Sequence, residues 1–234
     1  MERHSGNMAY LEAERDEPVV NPVISIAPPK RTAYLMVKRA FDVVLSALAL
    51  VVLSPVFLIV AAAIKLEDGE PVIHVRNCVG QNDTSYKMYK FRTMVVDADN
   101  YQRYLSPKQQ MQLYQEQKVR DDPRITKVGY FLRKTSLDEL PQLFSILKGD
   151  MSIVGPRPVI EAECRHYGSN LPVLLSVQPG LTGLWQVSGR SECTYESGER
   201  QKLELHYARN ASLVMDFEIL LKTVKVVLRG IGAR

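Results

Sequence analysis

Residues 40 to 64 run Ala-Phe-Asp-Val-Val-Leu-Ser-Ala-Leu-Ala-Leu-Val-Val-Leu-Ser-Pro-Val-Phe-Leu-Ile-Val-Ala-Ala-Ala-Ile. A stretch this apolar must be hidden from water, in lipid or in a protein core. As one helix it would extend roughly 37 Å, enough to cross a hydrocarbon layer. Two features oppose a simple crossing. Ser54-Pro55 falls just past the middle, where proline removes a helix bond and bends the axis. Basic residues flank both ends, Lys38 and Arg39 before and Lys65 after, and the positive-inside rule wants both flanks on the cytoplasmic face. A helix that enters, bends at Ser54-Pro55 and returns to the same side satisfies both conditions. A spanning helix and a buried helix hairpin remain the alternatives.

This run divides the 234-residue chain. Residues 1 to 33 are polar, carry Pro18, Pro22, Pro28 and Pro29, and are expected to be disordered. The re-entrant segment covers 34 to 65. Residues 66 to 234 suit one small globular domain, expected to be α/β: mostly helical, with a small sheet or hairpin and amphipathic interfacial helices. A net charge of +4 and a pI near 8.9 fit acidic ligands or an anionic membrane face without choosing between them. Three cysteines, Cys78, Cys164 and Cys193, show neither zinc spacing nor a disulfide framework. No Walker-type phosphate loop, G-x-G-x-x-G, G-x-S-x-G or H-E-x-x-H occurs, which removes the familiar nucleotide, hydride and hydrolase templates.

Within the soluble part, Val72 to Val75 and Tyr86 to Phe91 read as paired strands joined by a Gly80-Gln81-Asn82-Asp83 turn. Lys87, Lys90 and Arg92 are close in sequence and are candidate phosphate ligands or a solvated strand face. Residues 97 to 119 are polar and helical in pattern. The chemistry-bearing stretch is 134 to 158. Leu140, Leu143, Phe144 and Leu147 mark a helical stripe expected to face a core, stopped by Gly149 and followed by a rigid Gly155-Pro156-Arg157-Pro158 loop. Its start has two readings: a capping box of Ser136 with Glu139, or Asp138 as the cap with Pro141 in the first turn. Either puts Asp138 at a helix N-terminus, where free amides and the dipole favour anions.

An acid pair bracketed by Arg124, Arg133 and Arg157 is what a magnesium-assisted attack on a diphosphate needs. Carboxylates hold the hard cation, guanidinium forks neutralise phosphate oxygens, and one carboxylate can serve as nucleophile. A capped helix within a salt-bridged surface is the bland alternative. Residues 159 to 176 look helical. Pro179 to Arg190 pack glycines around Trp185, a loop able to bring backbone amides to a ligand. Leu213 to Leu228 carry an apolar stripe opposite Lys222, Lys225 and Arg229, suiting a core helix or one lying in a membrane surface.

Together these blocks resemble the bacterial sugar transferase family, the monotopic phosphoglycosyl transferases. The likeness is carried by Lys38-Arg39 with Phe41-Asp42, Ser54-Pro55, Lys90 to Met94, Asp122 to Thr126, Leu132 to Leu143, Gly149 to Pro158 and Pro179 to Arg190. The Trp185 loop looks most like the exopolysaccharide-initiating branch. The resemblance implies transfer of a hexose 1-phosphate from a UDP-sugar, galactose or glucose, to undecaprenyl phosphate. UMP would be released at the cytoplasmic face of a bacterial inner membrane. It implies Asp138 as nucleophile and Glu139 as its acidic partner, the two together holding Mg2+. Arg157 would meet phosphate, joined by Arg133, Arg124, Lys90 and Arg92. Membrane lipid is an expected partner, a homodimer is compatible, and no nucleic acid is expected, since no basic-aromatic stripe occurs. Family members often carry Gln-x-Arg before the Val-Gly turn, where this chain has Arg76 and Cys78. A membrane-anchored scaffold of a polysaccharide assembly complex is the alternative from another class.

Overall fold

The computed structural model describes residues 32–116, 119–188 and 195–229. The disorder expected for the first 33 residues falls almost entirely outside these, as do Arg190 and Cys193. The fold is mostly helical with two small two-stranded sheets.

The apolar run forms α1 (Thr32–Val52) and α2 (Ser54–Asp68), bent by 61° at the break. Neither helix alone is long and apolar enough to cross a membrane, while the bent pair passes that test together. Pro55 sits in the first turn of α2, where its missing N–H costs nothing. The Ser54 hydroxyl donates to the Val51 carbonyl at 2.8 Å, meeting an acceptor that the break would otherwise orphan. Leu35, Met36, Phe41, Val44, Leu48, Val51 and Val52 of α1 and Leu58, Ile59 and Leu66 of α2 are exposed. An apolar face of this extent marks an interaction surface.

The charges at the start of α1 do something other than sit in solvent. Lys38 donates to the Val154 carbonyl and to Asp216, each at 2.8 Å. Arg39 donates to the Ile146 and Leu147 carbonyls at 2.6 and 2.7 Å. Asp42, 2% exposed, accepts from the Ser152 hydroxyl and the Ile153 amide. One face of α1 is therefore bonded to β3, α6 and α11 through polar groups, Lys38 and Asp42 at i, i+4 spacing.

Beyond α2, β1 (Ile73–Val79) and β2 (Ser85–Phe91) pair antiparallel, with His74 opposite Lys90 and Arg76 opposite Met88. The turn between them uses Asn82 at φ 55°. Successive side chains alternate faces, so Lys87 and Lys90 point apart and do not form the joint cluster expected. The polar stretch after β2 breaks into α3 (Tyr101–Tyr104) and α4 (Pro107–Glu116), because Pro107 restricts Ser106 to extended backbone. Next come α5 (Lys127–Thr135), α6 (Gln142–Lys148), β3 (Ser152–Val154), α7 (Glu161–Cys164), α8 (Leu171–Leu174) and β4 (Gly180–Thr182). The described chain closes with α9 (Leu184–Ser188), α10 (Glu199–Asn210) and α11 (Leu213–Arg229). β3 and β4 pair in parallel. A side chain on Gly180 would lie 2.1 Å from the Gly155 amide nitrogen. These glycines thus bring backbone to backbone within the sheet, where the sequence suggested an approach to a ligand.

The site rests on two cores. Cys78, Tyr86 and Met88 of the hairpin pack on Leu143, Ile146 and Met151. Val60 and Ile64 of α2 pack on Phe91 and Leu132, with Phe57 edge-on to Phe144, ring centroids 6.2 Å apart. Phe144 itself stays half exposed, so the buried face of α6 runs through Gln142, Leu143, Ser145 and Ile146 instead of the expected stripe. The C-terminal helix α11 serves both readings. Asp216 and Ile219 are buried, and Thr223 shares a hydrogen bond with Thr182, while Leu213, Val214, Phe217, Leu221 and Val224 stay exposed.

Candidate active site at the Asp138–Glu139 turn

The acid pair lies in a link between two helices. Thr126 caps α5, its hydroxyl accepting from the Gly129 amide at 2.9 Å. A Cβ on Gly129 would stand 2.0 Å from the Thr93 carbonyl oxygen, so only glycine lets α5 lie against the end of β2. Ser136 ends α5 in the left-handed region (φ 58°, ψ 18°). A single 3-10 turn, Leu137–Glu139, then leads through Pro141 into α6. Both expected caps are therefore corrected. Ser136 closes the preceding helix and makes no side-chain cap, and Asp138 lies upstream of the α6 N-terminus. Proline at 141 decides this: helix cannot extend back through it without a lost bond and a clash.

What remains is a pair of carboxylates in a cationic surround. Asp138 is half-buried, and burial, then the neighbouring Glu139 charge, push its carboxyl up to about 6. Lys90 and Arg133 pull it back only in part. Glu139 accepts from Lys90 Nζ at 2.7 Å. Arg133 donates from Nε to the Thr93 hydroxyl at 2.9 Å; burial lowers its pKa, opposed by Asp138. Arg157, in the Gly-Pro-Arg-Pro loop, pairs with Glu163 at 3.2 Å and lies 6.0 Å from the Trp185 ring centre. Burial works against the Arg157 charge, but Glu163, Tyr195, Glu204 and Glu139 outweigh it and hold its pKa above the ordinary arginine value.

The structure thus brings Lys90, Arg133 and Arg157 toward the pair and leaves Arg92 and Arg124 elsewhere. Arg92, 7% exposed, donates to the Asp68 carboxylate and to the Asp68 and Gly69 carbonyls, tying the end of α2 to the end of β2. Arg124 grips Asp122 through Nε and Nη2 at 2.9 and 2.6 Å and reaches the Ala98 carbonyl. Both guanidiniums are buried and bonded to these partners within the fold.

Glu163 escaped the sequence reading. It is 2% exposed, with Arg157 at 3.2 Å and Arg200 at 3.9 Å. Its only local signal was its place six residues beyond Arg157. The sequence presents Lys38, Arg39 and Asp42 as a block, while their bonds to β3, α6 and α11 come only from the fold.

The bacterial sugar transferase family model matches residues 33–230. The chain belongs to that family. It is 44% identical over 200 residues to the exopolysaccharide production protein ExoY of Sinorhizobium fredii, covering 84% of this chain and 87% of that one. It is 43% identical over 199 residues to an undecaprenyl-phosphate galactose phosphotransferase of Salmonella typhimurium, covering 84% and 41%. It is 36% identical over 221 residues to a UDP-glucose:undecaprenyl-phosphate glucose-1-phosphate transferase of Klebsiella pneumoniae, covering 92% and 45%. The transferase therefore spans most of the ExoY protein and less than half of the two longer relatives. Its acid turn, α1 bend and Gly-Pro-Arg-Pro loop all lie inside the family match.

Proposed function

We propose that this transferase moves a hexose 1-phosphate from UDP-galactose or UDP-glucose to undecaprenyl phosphate, the first membrane step of exopolysaccharide synthesis. The observation that carries the reading is the half-buried Asp138, its carboxyl pushed up to about 6 beside Glu139, within reach of the charges of Lys90 and Arg133. A carboxylate whose ionised form is disfavoured by its surroundings is a competent nucleophile near neutral pH.

In the first step an Asp138 carboxylate oxygen attacks the phosphorus bearing the sugar. The bond from that phosphorus to the bridging oxygen breaks, and UMP leaves with that oxygen. In the second step a phosphate oxygen of undecaprenyl phosphate attacks the same phosphorus, and Asp138 leaves as a carboxylate. Lys90, Arg133 and Arg157 offset phosphate charge. A ping-pong course lets a soluble nucleotide and a lipid use one site in turn.

Asp138 and Glu139 suit Mg2+. No group of three or more metal-ligating side chains occurs among the described residues, and magnesium commonly takes one or two carboxylates and completes its shell with water and substrate phosphates. The repulsion that raises Asp138 is what a divalent cation relieves. When bound, the ion would neutralise diphosphate charge.

The exposed apolar faces of α1, α2 and α11 support a monotopic placement. In it the bent pair enters and leaves by the cytoplasmic face and holds the acid pair near the lipid phosphate. The test is UMP release by membrane-embedded protein given UDP-galactose or UDP-glucose, undecaprenyl phosphate and magnesium, with Asp138→Asn alongside. Release that needs the lipid and disappears in the variant supports the reading. Release unchanged by the variant would overturn the role of Asp138, and no release with a wider panel of donors would return the chain to a scaffold.

A further inference from the structure

The hairpin face that carries Lys90 carries a second cation. Arg76 of β1 lies opposite Met88, two pairs along from the His74–Lys90 pair and so on the same face. Arg76 and Lys90 are therefore diagonal neighbours on one face, within reach of one phosphate group or two joined ones. Lys90 bonds Glu139 of the acid pair. On the other side, the Arg76 charge is felt at Glu163, the carboxylate that holds Arg157. Arg76 thus stands between Lys90 and the loop of Arg157.

It is also uncommitted. Arg76 is half-buried, yet among the described residues it makes no hydrogen bond and no ion pair. Every other arginine around the site has a partner: Arg133 has Thr93, Arg157 has Glu163 and Arg200 has Glu204. A partly desolvated guanidinium without an anion is costly, and its planar fork suits phosphate oxygens. Position 78, two residues along the same face, is core: Cys78 is 2% exposed and packs with Tyr86 and Met88. Arg76 is therefore the innermost residue of β1 on this face that is not packed in the core.

We propose that Arg76 contacts a phosphate of the substrate, extending the cationic rim of Lys90, Arg133 and Arg157 along β1. The proposal rests on the phosphoryl transfer proposed above. The phosphate can belong to the nucleotide sugar or to the lipid acceptor, and separate half-reactions distinguish them.

The experiment compares wild type with Arg76→Met, which keeps the aliphatic stem, and Arg76→Lys, which keeps the charge. kcat/KM is measured for the UDP-sugar and for undecaprenyl phosphate, alongside melting temperature. Loss of a charge-assisted contact predicts a fall of about tenfold or more for Arg76→Met, partial recovery in Arg76→Lys, and an unchanged melting temperature. A fall confined to the nucleotide arm assigns the donor diphosphate; a fall confined to the lipid arm assigns the acceptor phosphate. Unchanged values in both arms overturn the proposal. So does a fall that tracks a lowered melting temperature and is not recovered by lysine. If wild type transfers nothing, the transfer reading fails on its own. Binding of UDP and of undecaprenyl phosphate, each measured by calorimetry on wild type and Arg76→Met, then decides whether this residue meets phosphate, equal affinities for both overturning it.

Discussion

Lys90 Nζ lies 2.7 Å from Glu139 Oε1, joining the far end of β2 to the acid turn. The lysine charge also lowers the pKa of the adjacent Asp138. Removing it should weaken the nucleophile's ionisation as well as a phosphate contact. In Lys90→Met the acid limb of the pH–rate profile should move upward, by about half a unit to one unit. Titration of donor-dependent UMP release checks this; a lower rate with an unmoved limb would leave Lys90 as a phosphate ligand only.

Asp138→Asn should reduce UMP release by roughly 10^4-fold or more, as for other nucleophile deletions. The same substitution should stabilise the fold at neutral pH. A carboxyl whose folded pKa is raised costs stability above its folded value, and the cost fades as pH falls to the ordinary carboxylate range. The variant should melt higher than wild type at pH 7.5, by an amount on the order of 1 kcal/mol, and the gap should close near pH 4. An asparagine variant that melts lower at pH 7.5 would contradict the burial argument.

For wild type, the donor half-reaction needs ionised Asp138, and burial with Glu139 pushes that carboxyl up to about 6. kcat/KM for the UDP-sugar should be level above about pH 7 and fall about tenfold per unit below pH 6. The nucleotide diphosphate does not titrate there, so the limb reports the enzyme. Magnesium on the pair would draw the limb below this metal-free value, so the limb should move down as magnesium is raised; a limb near pH 4 at low magnesium would mean an unperturbed nucleophile.

Asp42 accepts from the buried Ser152 hydroxyl and from the Ile153 amide. Asp42→Ala strands both donors and should cost about 2–4 kcal/mol. Limited proteolysis in detergent micelles should show faster cleavage beyond α2, and Arg39→Ala, which frees two α6 carbonyls, should act in the same direction.

Gly129→Ala places a methyl 2.0 Å from the Thr93 carbonyl oxygen. Overpacking of this kind typically costs about 1–3 kcal/mol, and α5 must shift to relieve it. Because Arg133 is held by the Thr93 hydroxyl, the expected outcome is a lower melting temperature together with a raised KM for the donor. A change in melting temperature alone would separate helix packing from substrate binding.

Local pattern determined a good deal of this protein. The apolar run with Ser54-Pro55 specified a broken helix, because a missing N–H interrupts the ladder whatever surrounds it. Alternating apolar residues around Gly80 to Asp83 specified the hairpin, and Gly149 the end of α6. The ordered blocks specified the family. Only the tertiary structure decided which charges serve that pair. Arg92, Arg124, Arg133 and Arg157 are alike in sequence, each beside plausible phosphate chemistry. Packing then commits Arg92 to Asp68 and Arg124 to Asp122, and directs Lys90 and Arg133 to the turn. It also turns Lys38 and Arg39 inward, where the sequence placed them as flanks of a membrane segment, and buries Asp42 of the apolar run. The reason is range. Backbone preference and side-chain period act over a few residues and are written locally. The partner of a long charged side chain is set by contacts between distant segments, 49 residues apart for Lys90 and Glu139 and 110 for Asp42 and Ser152.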